Sequence, residues 1–108
     1  MSAIPERCRD GAARLDAASL EAMAAELDPA WRREGDAIVR RVELADFAAA
    51  LAALNAVGAA AEEENHHPDL AITGYRELTV SLTTHDAGGL TANDLVMARR
   101  VDGLLARS

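Results

Sequence analysis

The sequence predicts an α+β domain in the order helix, two strands, helix, two strands, helix: a four-stranded antiparallel sheet with three helices packed on one face. Three observations carry that reading. The hydrophobic period alternates along the chain between the helical 3.6 and the extended 2. Gly35-Asp36 separates two extended runs by the two residues of a tight hairpin turn. Half of the residues are hydrophobic but only 3% are aromatic, so alanine-lined helices are favoured over an aromatic-rich sandwich.

Taken in order, residues 1–13 show no period and read as a flexible lead-in, leaving 14–108 as one domain. The first helix places Leu20, Met23 and Leu27 on one face, with Asp16 as its cap and Asp28-Pro29 as its end. Two extended runs follow, Trp31 to Glu34 and Ala37 to Val42. From Leu44 to Glu64 the period is helical, and Leu44, Phe47, Leu51, Leu54, Gly58 and Ala61 form the expected buried stripe. Pro68 is the expected stop. Leu70 and Ile72, then Leu78, Val80 and Leu82, alternate as a second strand pair linked through Gly74-Tyr75. Beyond the Gly88-Gly89 loop, Thr91-Ala92-Asn93-Asp94 has the form of a capping box and opens a last helix through Met97, Val101, Leu104 and Leu105.

Composition excludes several classes of function. The net charge is −7, every basic residue is arginine, and no basic stripe is present, so direct nucleic-acid binding is not expected. The pairs Arg32-Arg33, Arg40-Arg41 and Arg99-Arg100 read as solvated faces. No apolar run reaches membrane-spanning length, and the N-terminus has no signal-peptide core. One cysteine, Cys8, excludes an intrachain disulfide and fits a reducing compartment, so a soluble cytoplasmic protein is expected. Its neighbours Arg7 and Arg9 are of the sign that favours a thiolate, but an inert thiol in a loose N-terminal segment is the reading preferred.

The chemistry is concentrated in two segments. Glu62-Glu63-Glu64-Asn65-His66-His67-Pro68 and Thr83-Thr84-His85-Asp86 hold all three histidines. Imidazole titrates near pH 6.5 when unperturbed, so this is apparatus for proton transfer. Glu62 and His66 are four apart at a helix end, and the spacing predicts that the carboxylate orients that imidazole; the plainer reading is a surface pair. His67, beside Pro68, leaves the backbone in a different direction. By strand parity His85 falls on the open sheet face with Thr79, Ser81 and Thr83. Asp94 lies on the stripe of the last helix through Ala98 and Val101, where capping alone would explain it. No helical His-x-x-x-His pair or cofactor motif is present, so neither metal nor cofactor is expected.

These residues carry a resemblance. Glu62-x-x-x-His66-His67-Pro68, then Tyr75, His85 and Asp94, within "ENHHPDL", "GYRELTVSLTTHDAGGLT" and "ARRVDGLL", are similar to the signature of the pterin-4a-carbinolamine dehydratases, in particular bacterial members. The likeness runs from about residue 14 to residue 106. It implies a lyase that dehydrates 4a-hydroxytetrahydropterin to quinonoid dihydropterin by histidine general acid–base catalysis, as in tetrahydrobiopterin recycling. It also implies catalytic roles for Glu62, His66, His67 and His85. The pterin-contacting segments it implies are His66-His67-Pro68 and Thr84-His85-Asp86-Ala87, together with Asp94. The family's fold is the one read above, and its members are homodimers or homotetramers.

Some positions depart from the pattern. Asn65 stands where some members have an acid, Asn93 where some have an arginine, and Leu70 where some animal members have an aromatic residue. These departures bear on substrate affinity and side-chain preference more than on the chemistry. Two other classes compete: a protein-binding, coactivator-like or assembly-factor module with a relic pterin site, and a metal-dependent hydrolase.

Overall fold

The computed structural model describes residues 2–106; residue 1 and the last two positions of the expected domain, 107 and 108, lie outside the described residues. The order is α1 (Ala17–Ala24), β1 (Arg32–Glu34), β2 (Ala37–Glu43), α2 (Phe47–Glu64), β3 (Asp69–Thr73), β4 (Glu77–Leu82), a single 3-10 turn (His85–Ala87) and α3 (Ala92–Leu105). The strands form one antiparallel sheet in the order β1-β2-β4-β3. The α+β class and the element order are those the sequence predicts.

Register divides the sheet into two faces. Ile38 pairs with Leu82, Arg40 with Val80 and Val42 with Leu78, while Leu70 and Ile72 pair with Val80 and Leu78 from the other side. Leu78, Val80 and Leu82 are wholly buried. Alternation then puts Thr79 and Ser81 on the opposite face. Helix α2 packs on β3, β4 and α3, and α3 also reaches β4.

Three expectations are corrected here. Helix α1 stops at Ala24, four residues before Asp28-Pro29, although Asp16 caps its start by accepting the Ser19 N–H at 2.7 Å. The buried face of α2 is Ala50, Ala53, Val57, Ala60, Ala61 and Glu64, whereas Phe47 and Leu51 are 51% and 41% exposed. Small side chains let α2 approach α3 and the sheet closely, so the tight interface takes the alanines and the bulkier stripe is turned out. Nor are two of the three basic pairs merely solvated, although Arg32-Arg33 is exposed as expected. Arg40 reaches Asp102 of α3, which also accepts the Trp31 Nε1–H at 2.8 Å and the Asp28 N–H at 2.9 Å. Arg99 donates to the carbonyls of Ile4 and Pro5, and Arg100 to Glu63 and Glu64.

Residues 2–13 contain no helix or strand but are fastened to the body. Ile4 is 3% exposed and belongs to the core, and the Cys8 N–H donates to Glu64 Oε1 at 2.9 Å.

Candidate active site

The first half of the site is made by the way α2 ends. Asn65 adopts the left-handed conformation, φ 50° and ψ 41°, which asparagine tolerates better than most residues. The His66 N–H then donates to Ala61 O at 3.2 Å and the Asn65 N–H to Glu62 O at 3.3 Å, closing a Schellman motif. Asn65 therefore ends the helix three residues ahead of Pro68, and His66 is no longer on it. The expected Glu62–His66 pair does not form, because the four-residue spacing rule holds only inside a helix.

Each histidine takes a different carboxylate instead. His66 Nε2 lies 2.6 Å from Asp94 Oδ1, and His67 Nε2 bonds Glu62 Oε2. The two pairs sit in unlike surroundings: side-chain exposures are 13% and 0% for His66 and Asp94, against 55% and 77% for His67 and Glu62. A pair open to water is screened and holds its geometry weakly, while a buried pair is fixed.

Asp94 supplies the second half. It caps α3, its Oδ2 accepting the Thr91 N–H at 2.9 Å in a capping box, and the same oxygen accepts the Thr84 hydroxyl at 2.8 Å. With His66 on Oδ1, one buried carboxylate ties the start of α3, the end of β4 and the segment after α2 together. An ionised carboxylate only accepts hydrogen bonds, so a bond to the carboxylate form of Asp94 requires the proton at His66 Nε2 and leaves Nδ1 as the ring's second nitrogen. Capping is thus only one of the contacts that Asp94 makes.

His85 is not on a strand. Strand β4 ends at Leu82, and Thr84 pairs with Gly89 (Thr84 N–H to Gly89 O 3.2 Å, Gly89 N–H to Thr84 O 3.3 Å), so the chain turns and His85 opens the 3-10 turn, exposed. It borders a hollow of about 270 Å³ with Asp36, Thr83 and Gly88.

A cleft of about 790 Å³ is bordered by His66, Thr84, Asp86 and Ala87 from the segments singled out in the sequence. Glu62, His67, Pro68, His85 and Asp94 are not among its lining residues. The cleft also takes in residues that the sequence reading gave no site role, Cys8 to Ala12 and Glu64, together with Asn65 and Asn93, the two departures from the family pattern that bear on substrate affinity. Glu64 is buried and accepts the Cys8 N–H, Arg7 Nε at 3.0 Å and Arg100 Nη1 at 3.2 Å. Burial opposes its ionisation, but the Cys8 amide and the two arginines outweigh it and hold the carboxyl below its ordinary range. Cys8 is the inert thiol rather than a thiolate, in a segment that is fastened and not loose: burial first, then the Glu64 charge, push its thiol up to about 12 against the weaker pull of Arg7. Among the described residues, no three of His, Cys, Asp and Glu are grouped to hold a metal ion.

The class this defines is an α+β domain with a cleft that presents an imidazole bonded to a buried carboxylate. The family model for pterin 4 alpha carbinolamine dehydratase matches residues 13–104, and the chain belongs to that family. Two similar proteins bear the name "Putative pterin-4-alpha-carbinolamine dehydratase". The one from Thermomicrobium roseum is 44% identical over 82% of this chain and 94% of its own. The one from Natronomonas pharaonis is 48% identical over 74% and 86%. The crystal structure of a transcriptional coactivator/pterin dehydratase from Brucella melitensis superposes with a TM-score of 0.77 at 29% identity, covering 84% of this chain and 97% of that one. A pterin dehydratase-like RuBisCO assembly factor of the alpha-carboxysome, at 24% identity and a TM-score of 0.55, shares the fold.

Proposed function

We propose that the protein is a 4a-hydroxytetrahydropterin dehydratase, releasing water to give the quinonoid dihydropterin by proton transfer alone. The observation that supports this most directly is the His66–Asp94 pair, whose imidazole lines the 790 Å³ cleft, in a chain of this family. In the reaction the N5 lone pair forms the C4a=N5 double bond as the C4a–O bond breaks. The hydroxyl takes a proton and leaves as water, and the N5 proton passes to a base, so protons balance overall. His66, held at Nε2 by Asp94, has Nδ1 to accept the N5 proton.

His67 and His85 are the proposed donors to the leaving hydroxyl. Each is exposed enough to exchange protons with water and adjoins residues that line the cleft, His67 following His66 and His85 lying between Thr84 and Asp86. Glu62 orients His67. Pterin contacts are assigned to His66, His67, Pro68, Thr84, His85, Asp86 and Ala87, with Asp94 acting from behind His66.

Among the described residues no helix is long and apolar enough to cross a membrane. The lone free cysteine supports a reducing compartment, and we assign the protein to the cytoplasm. The outward Phe47 and Leu51 of α2 and the edge strands β1 and β3 support a homodimer or homotetramer. Turnover of 4a-hydroxytetrahydropterin followed by absorbance, with the uncatalysed rate subtracted, tests the assignment. A rate no higher than background refutes it and leaves a binding module with a relic site.

A further inference from the structure

We infer that the N-terminal segment Cys8–Ala12 is a fixed wall of the substrate cleft and that Arg9 on it contacts the pterin, with Glu64 and Asn93 as the residues that position it. This rests on the dehydratase reading and adds a substrate contact to it.

Five consecutive residues, Cys8 to Ala12, border the cleft together with His66, Thr84 and Asp86, yet the family match begins only at residue 13. The wall is therefore contributed by a part of this chain outside the matched domain. It is anchored at two points. The Cys8 N–H donates to Glu64 Oε1 at 2.9 Å. Asn93 grips the backbone of Arg9 from both sides, its Oδ1 accepting the Arg9 N–H at 3.0 Å and its Nδ2–H donating to Arg9 O at 2.8 Å. Both anchors are buried, at 8% and 9% exposure. A primary amide satisfies a backbone donor and acceptor together, which no carboxylate or guanidinium can do.

The anchors also set the wall's position relative to the chemistry. Asn93 adjoins Asp94 in α3, and Glu64 precedes His66 by two residues. The elements that hold the His66–Asp94 pair thus hold the wall as well, so wall and imidazole form one frame. Upstream, buried Ile4 and the Arg99 bonds to the carbonyls of Ile4 and Pro5 tether the segment from its other end.

Arg9 is the only arginine lining the cleft, and its side chain makes no hydrogen bond or ion pair among the described residues. Arg7 and Arg100, nearby, are both engaged with Glu64. A guanidinium offers five donors and no acceptor, so it pairs with the acceptors of a pterin, the ring carbonyl oxygen and acceptor ring nitrogens. The cleft can accept the ring and part of its side chain, since sites for drug-sized ligands span roughly 300–1,000 Å³.

The test is steady-state kinetics on the full-length chain. Arg9→Ala, at an exposed position, should raise KM about fivefold or more and leave kcat within about twofold, with Arg9→Lys between it and the parent. Asn93→Ala should raise KM in the same direction, and in the Arg9→Ala background it should add little, because it acts through Arg9. An unchanged KM in Arg9→Ala, with the parent active, overturns the contact and leaves the dehydratase reading standing. So does a loss confined to kcat, and so do Arg9 and Asn93 effects on KM that simply add. A parent protein that neither dehydrates nor binds the pterin overturns both readings together.

Discussion

Asp94 Oδ1 and His66 Nε2 stand 2.6 Å apart across 28 residues of sequence, and Asp94 is completely buried. The same carboxylate caps α3 and accepts the Thr84 hydroxyl, so the imidazole is referenced to the start of a helix and the end of a strand rather than to its own loop. Removing the imidazole with His66→Ala should lower kcat about 10²-fold or more, the lower end of what a positioned acid or base contributes. Asp94→Asn keeps the size but can turn an N–H toward the ring, which disturbs the tautomer. It should cost about tenfold or more in kcat and also destabilise the fold by about 1–2 kcal/mol through the weakened cap. Circular dichroism separates the two effects: a kcat loss in protein still folded at the assay temperature belongs to His66.

Glu64 gives the fold an acid-sensitive joint. Its carboxyl is held below the ordinary value of 4.5 by the Cys8 amide, Arg7 and Arg100 acting against burial. A depressed carboxylate contributes stability that is complete above its unfolded pKa and is lost as pH falls through the lower folded one. The thermal midpoint should therefore drop below about pH 4.5, and Glu64→Gln should make that drop shallower while costing about 1–3 kcal/mol at pH 7 from the lost charged bonds. An acid limb of unchanged steepness in Glu64→Gln would assign it to other carboxylates.

Cys8 makes the segment that carries it observable. With its thiol pushed up to about 12, only about one molecule in 10⁴ is thiolate at pH 8, and alkylation proceeds through the thiolate. Iodoacetamide should react with the native protein far more slowly than with the chain in denaturant. Asn93→Ala, by loosening the Arg9 backbone, should speed native alkylation. Equal rates in native and denatured protein would mean that Cys8 is not held against Glu64 and Asn93.

The fold was readable in the sequence because its signals are local. Asp16, Gly35-Asp36 and Thr91 to Asp94 each specify a cap or a turn within four residues, and Leu78-Val80-Leu82 alternates cleanly. The inward face of α2 was misread because residue size is a poor guide where helices pack tightly, and the alanines won. The site was half readable. Its residue types were evident, but the pairing depends on one backbone conformation, the left-handed Asn65, which moves His66 from Glu62 to Asp94. The Cys8–Ala12 wall left no local signal, since its order comes from Glu64 and Asn93, distant in sequence.

That change of partners leads to a contrast between the two carboxylates. Glu62 bonds His67, but at 77% and 55% exposure both side chains are solvated, and an ion pair in water contributes at most about 1 kcal/mol. Glu62→Gln should therefore leave kcat within about fivefold of the parent, a much smaller effect than that of Asp94→Asn. Its effect should shrink further at high salt, where exposed charges are screened within about a Debye length. His67→Ala and His85→Ala remove the proposed donors themselves, and each should lower kcat at least about tenfold with the fold retained, since neither side chain is in the core. If Glu62→Gln proved as damaging as Asp94→Asn, the exposed pair would have to be enclosed during turnover. If His67→Ala and His85→Ala both kept the parent rate, donation to the hydroxyl would have to come from water, leaving His66 as the protein's one proton-transfer group.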